Sequence, residues 1–222
     1  MFERLGKAMV GLRASSDPST LLAQWAASQG LAFKSLIGGA YAIAGRWQDR
    51  AVRVECGAPS RDYLQGMELM GRADLGLATA SSVVLMNRPL KRALEQRATA
   101  LYASYTDELQ TSAAMLPEEI RWLATYRDAG WAGPDEAFWE RYAVLTDSTE
   151  TAKAWLDTGA VQRLMTWPVN GVSATTPVLF MLMRGKTYLR LQIDQTRDTA
   201  TAVHALDLFR HLSEQARAVP AS

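Results

Sequence analysis

Two short segments in this chain alternate apolar and polar residues with a period of two, and no other feature constrains the fold as much. In residues 51–56, Val52, Val54 and Cys56 fall on one face and Arg53 and Glu55 on the other. In residues 187–193, Leu189, Leu191 and Ile193 face one way and Tyr188, Arg190 and Gln192 the other. Each segment follows another β-type run, residues 41–47 and 178–183, across a short polar turn, Gln48-Asp49-Arg50 or Arg184-Gly185-Lys186. Such strands belong to hairpins of an antiparallel sheet with one face buried and one facing water.

Helix signals surround these hairpins. Asp17-Pro18 is a cap followed by a first-turn proline, Leu21, Leu22, Trp25 and Ala26 make an apolar stripe, and Gly30 ends it. Pro89 opens a helix carrying Leu90, Leu94 and Ala98. Pro117-Glu118-Glu119 opens another, with the glutamates at the positive end of the helix dipole and Gly130 as its expected stop. Asp147-Ser-Thr-Glu150 has capping-box spacing ahead of Ala152, Trp155 and Leu156. Thr158-Gly159 breaks that helix before Val161, Leu164 and Met165. Residues 198–218 form a closing amphipathic helix with Ala202, Leu206, Phe209 and Leu212 inward. Strands are expected at 31–37, 82–86 and 142–146. Residues 57–72 show no period, being broken by Gly57, Pro59, Gly66 and Gly71.

The expected class is α+β, with antiparallel sheet and helices mainly on one side. The order helix, turn, hairpin occurs twice, a similarity of pattern without residue identity that suggests two pseudo-repeated helix–hairpin halves, although many α+β domains show such an order by chance. The expected organisation is an N-terminal arm or amphipathic helix at 1–16, a first half at 17–101, a connecting segment at 102–115 and a second half at 116–222. The two halves either share one sheet as a single domain or pack as two lobes.

Charge separates the halves. Lys and Arg total 24 against 23 for Asp and Glu, a net of +1. Residues 1–100 hold 13 basic and 8 acidic residues, and residues 101–222 hold 11 and 15. The halves therefore carry +5 and −4, which favours docking within one chain or head to tail between chains. The overall balance, with 48% hydrophobic residues, excludes a strongly basic nucleic-acid binder and an acidic disordered chain. Nucleic acid is not an expected partner.

The uncharged stretch 164–183 is long enough to span a bilayer, but Pro168, Asn170, Gly171 and Pro177 interrupt it, so it is expected to be turn and strand. No secretion signal is read at the N-terminus and no transmembrane segment is expected, which points to the cytoplasm. Residues 2–13 place Phe2, Leu5, Met9 and Leu12 at helical spacing among Arg4, Lys7 and Arg13. They form a basic amphipathic segment suited to an anionic membrane surface or a partner.

Few residues here carry obvious chemistry. The single cysteine, Cys56, sits on the apolar face of its strand and excludes an intrachain disulfide. His204 and His211 lie seven residues apart on one helix, about 10 Å along its axis, too far for one metal ion. No phosphate loop, dinucleotide fingerprint or nucleophile elbow is present. No catalytic residue, metal or cofactor is expected. Tyr41, Arg46, Trp47, Arg50 and Arg53 put aromatic and guanidinium groups on one hairpin, but alternation turns Tyr41 and Trp47 toward the core with Ile43. The richest polar cluster is at 60–74, where Arg61, Asp62, Tyr63, Glu68 and Arg72 are the candidate ligand-binding residues.

Residues 41–55 (Tyr-Ala-Ile-Ala-Gly-Arg-Trp-Gln-Asp-Arg-Ala-Val-Arg-Val-Glu), 117–123 (Pro-Glu-Glu-Ile-Arg-Trp-Leu) and the segment beginning Tyr142-Ala-Val-Leu-Thr-Asp are similar to hypothetical proteins of proteobacteria. The last also resembles a widespread bacterial domain of unknown function, in which a strand, an acidic cap, a helix and a closing hairpin recur. The resemblance covers roughly half the chain and implies a bacterial, soluble α+β protein. It assigns no activity and no site residue.

The sequence favours a non-enzymatic cytosolic interaction or scaffold module that self-associates, with a protein partner or a second copy ahead of a small molecule. One alternative is a small-molecule binder or enzyme with its site between the halves near 60–74. Another is peripheral membrane attachment through 2–13.

Overall fold

The structure is a computed structural model that describes residues 18–77, 81–105, 117–169, 171–193 and 199–218. The segment 2–13, the cap Asp17 and most of the expected connecting segment lie outside the described residues. The chain runs α1 (Pro18–Ser28), β1 (Ala32–Ser35), β2 (Tyr41–Trp47), β3 (Arg50–Gly57), β4 (Met67–Asp74), β5 (Val83–Asn87) and α2 (Arg88–Tyr105). It continues with α3 (Glu118–Thr125), β6 (Arg127–Ala129), α4 (Glu136–Arg141), β7 (Tyr142–Thr146), α5 (Thr149–Trp155), α6 (Thr158–Met165), β8 (Val178–Met183), β9 (Lys186–Ile193) and α7 (Thr199–Ala218).

The nine strands of the described residues form one antiparallel sheet in the order β1-β2-β3-β4-β9-β8-β5-β7-β6. The class is α+β, as expected. Strands from before and after the connecting segment are interleaved: β4 pairs with β9, and β5 lies between β8 and β7.

One face of the sheet carries the larger core. Ile43, Val54, Leu69, Leu85, Phe180, Leu189 and Leu191 project into it and meet Leu22 and Trp25 of α1, Trp155 of α5, Leu164 of α6 and Leu206, Phe209 and Leu212 of α7. Caps fix the short helices there: Asp135 accepts from the Phe138 N–H, Ser148 from Thr151 and Asp157 from Ala160. The buried Tyr142 hydroxyl is satisfied on both sides: it donates to the Leu164 carbonyl and accepts from Trp167 Nε1, each at 2.8 Å.

Among the described residues the opposite face is covered over only part of its width. There α2 and α3 place Leu90, Leu94 and Trp122 on Val84, Met86, Leu145, Leu179 and Met181. Because β5, β7 and β8 lie between two helical layers, every residue of these strands is buried and none alternates. The helices thus lie mainly, but not wholly, on one side. Among the described residues no helix packs on the same face of β3, β4 and β9.

Three local expectations need correction. Residues 67–74 are a central strand, not part of an unpatterned loop: Gly71 suits β4 because a Cβ there would lie 3.1 Å from the Phe209 ring. The helix begun at Pro117 ends at Thr125, and Arg127–Ala129 becomes the edge strand β6 before Gly130 is reached. The helix from Pro89 continues to Tyr105, into the first part of the expected connecting segment. Among the described residues no helix is long and apolar enough to cross a membrane.

Candidate functional site

The polar cluster is built where the 60–64 loop, β4, β9 and the start of α3 converge. On β4, Glu68 is buried at 3% exposure. Its Oε2 accepts from the Ser60 N–H at 2.6 Å, and its Oε1 lies 3.1 Å from Arg190 Nε. That second approach is an ion pair, off the geometry of a hydrogen bond. Arg190 stands one strand over and uses Nη1 to reach Glu119 Oε1 at 3.3 Å. Glu119, buried at 4% exposure in the first turn of α3, also accepts from Arg61 Nε and, at 3.3 Å, from the Tyr63 hydroxyl. Two buried carboxylates are therefore matched by two guanidiniums and a phenol.

This neutral set satisfies the requirement that buried charges be paired. Burial pushes the Tyr63 hydroxyl up to about 12, with Glu119 adding to the rise and Arg190 opposing it. Desolvation works against the Arg61 charge, but Glu119 outweighs it, so that guanidinium is held above its ordinary value.

Of the five candidates, Arg61, Tyr63 and Glu68 enter this network. Asp62 stays exposed and pairs with Arg97 of α2. Asp62, Arg97, Arg61, Leu94 and Glu118 line a cavity of about 450 Å³ beside the network. Arg72 is not part of it. It lies further along β4, exposed, on the helix-free face, and its guanidinium makes no hydrogen bond or ion pair among the described residues.

Sequence reasoning missed Glu119 and Arg190. Glu119 was legible only as a residue favourable to the helix dipole. Arg190 was placed on the polar face of its strand, and only the β4–β9 pairing gives it a partner. The network also accounts for part of the charge split. Arg61 meets Glu118 and Glu119, and Arg88 and Lys91 both meet Asp128, each a basic residue of 1–100 with an acidic residue of 101–222.

Arg190 also borders a second cavity, a groove of about 490 Å³ on the helix-free face. Its floor is ordered by strand register. Arg53 opposes Arg72, Arg72 opposes Tyr188, Tyr188 opposes Met181, and Met181 opposes Val84 under the α2–α3 cover. The neighbouring row reads Glu55, Met70, Arg190 and Leu179. Arg53 is paired with Glu55. The floor thus passes from guanidinium through phenol to thioether over four adjacent strands.

The other chemistry-bearing residues are engaged elsewhere. Cys56 is buried against Tyr41, and burial raises its thiol to about 11. His204 Nε2 lies 2.9 Å from the Arg163 carbonyl, and His211 Nε2 lies 2.8 Å from Asp157. Among the described residues no group of three or more His, Cys, Asp and Glu side chains gathers as a metal site would require. Trp47 packs on Phe209 at 5.7 Å between ring centroids, on the core side of the first hairpin.

No protein-family model matches this chain, and no curated protein matches it. Among solved structures, the crystal structure of the mycobacterial trehalose monomycolate transport factor A, TtfA, is similar, with 13% sequence identity and a TM-score of 0.48. The match covers 92% of this chain and 97% of that one.

Proposed function

We propose that this protein binds a small ligand in the groove on the helix-free face of β3, β4, β9 and β8. The single observation that carries this reading is the composition of that floor. Half-buried Met70 and Tyr188 and buried Met181 lie beside Arg72, whose guanidinium has no partner among the described residues. A volume of about 490 Å³ falls within the range of small-molecule sites, which combine apolar walls with a few fixed polar groups. The Glu68–Arg190–Glu119 network is read as the support that holds Arg190 at one end of the groove. Its acids and bases are engaged with one another, which favours binding over catalysis. The candidate residues 61–68 then act mainly as buttress, and Arg72 acts as a contact.

The test is native mass spectrometry of the intact protein after incubation with a bacterial small-molecule extract. Wild type is expected to retain a bound mass, and Met70→Arg, which fills the groove from a half-buried position, is expected to lose it while keeping its circular dichroism. Retention by both, or by neither, would count against the groove.

A second reading, self-association as an interaction module, is supported by the edge strand β1, whose outer side is unpaired among the described residues. β1 is four residues long and largely exposed, and the next residues, Leu36 and Ile37, are 45% and 99% exposed. An apolar tip beside an unpaired strand edge is a pairing surface. Sedimentation equilibrium should show a dimer that Ile37→Asp dissociates; a wild-type monomer would remove this reading.

A further inference from the structure

We propose that the ligand of this groove is a free, single-chain amphiphile with an anionic head, the head held at Arg72 and the chain lying across Tyr188 toward Met181. This rests on the groove reading above and adds the ligand's chemistry and direction.

The first argument is electrostatic. Arg53 and Arg72 are directly opposed on neighbouring strands, an arrangement that costs stability because like charges face each other. Glu55 neutralises only Arg53. Arg72 therefore stands beside a second cation and makes no ion pair among the described residues, at the exposed end of a groove. An anion there relieves the repulsion and gains charge-assisted hydrogen bonds from a planar donor set. At the other end, Arg190 is held between Glu68 and Glu119, so its charge is already compensated. Among the described residues, the groove thus has one cationic end whose guanidinium is not held in an ion pair.

The second argument is the order of the floor. From Arg72 the register leads to Tyr188 and then Met181, two strand spacings or roughly 10 Å. Met70, beside Arg72 on the same face, widens the apolar strip. Beyond Met181 the face is roofed by α2 and α3, and Tyr188 packs partly against that roofed cluster. A chain directed this way buries more apolar surface with each carbon. Methionine floors adapt to flexible chains because the thioether side chain is itself flexible and polarisable. A ligand placed in reverse would set its apolar end against the two arginines.

Three water-soluble probes that share a chain and differ in head group separate the claims: octanoate, octyl glucoside and octyltrimethylammonium, titrated calorimetrically into the full chain. Octanoate is expected to bind about tenfold more tightly than octyl glucoside, with the cation weakest. Arg72→Gln, an exposed change that leaves the core untouched, should erase the octanoate advantage and leave octyl glucoside unchanged. Equal binding of all three, or an unchanged octanoate affinity in Arg72→Gln, would overturn the anionic assignment while the groove reading stands. Absence of binding by every probe would overturn both. Sedimentation with phosphatidylglycerol vesicles that octanoate does not compete away would also overturn the proposal, by making the face a membrane contact.

Discussion

Arg190 of β9 and Glu119 of α3 lie 71 residues apart in sequence and 3.3 Å apart in space. Their contact ties α3 to the sheet. Glu119 is also the acceptor for Arg61 and Tyr63, so its carboxylate is the shared partner of three donors. Glu119→Ala would leave Arg190, 12% exposed, and Arg61, 31% exposed, without that partner. The expected loss is about 3 kcal/mol, at the low end for a buried pair because Arg61 can still reach water. Asp62→Ala, which removes only the exposed pair with Arg97, should cost less than about 1 kcal/mol. Urea unfolding of the two variants checks this; equal losses would contradict the buried role of Glu119.

Stability should decline in alkali. Burial raises the Cys56 thiol from 9.0 to about 11, raises the Tyr63 hydroxyl from 10.0 to about 12 and also raises Tyr41. From about pH 9 upward the unfolded chain gives up these protons before the folded one does. The unfolded state then binds fewer protons, so unfolding becomes easier as pH rises. The contribution of the thiol is intact below its unfolded value and is lost progressively up to about 11. Urea midpoints should be level from pH 7 to 8.5 and fall by pH 10.5, less steeply in Cys56→Ala. A midpoint that rises over that interval would contradict the burial of these groups.

The β2–β3 turn can be improved. Gln48 and Asp49 have φ of 48° and 62°, a left-handed pair that two-residue hairpin turns favour but that residues with a Cβ adopt at a cost. The Arg46 guanidinium donates to the Asp49 backbone carbonyl, a contact that does not depend on either side chain. The double change Gln48→Asn, Asp49→Gly should therefore stabilise the protein by about 1 kcal/mol. Differential scanning calorimetry would show a higher Tm; a lower one would mean that the turn depends on the native side chains.

What was readable in the sequence follows physical lines. β3 and β9 were legible because each has one wet face and one dry face, so Val54 and Leu189 alternate with Arg53 and Arg190. β4 was not, because Gly66 and Gly71 read as loop punctuation, whereas Gly71 is needed by the close approach of Phe209. The candidate cluster at 60–74 contained Arg61, Tyr63 and Glu68, but the sequence had no means of pairing them with Glu119 and Arg190. Those contacts depend on β4 lying beside β9 and on α3 crossing above. Arg72 was selected with the others for its charge. Its separation from the network, and the row it shares with Tyr188 and Met181, exist only in the register.

The most direct test of the groove is a methyl spectrum of the protein labelled at its nine methionines, recorded while octyl glucoside or octanoate is added. The Met70 and Met181 methyls should shift and saturate with at least one of the two probes. Met67, which packs into the helix-covered core with Met165 against it, should stay in place, as should Met165. Shifts confined to Met67 or Met165, or no shift of Met70 and Met181 with either probe, would contradict a binding site on the open face of the sheet.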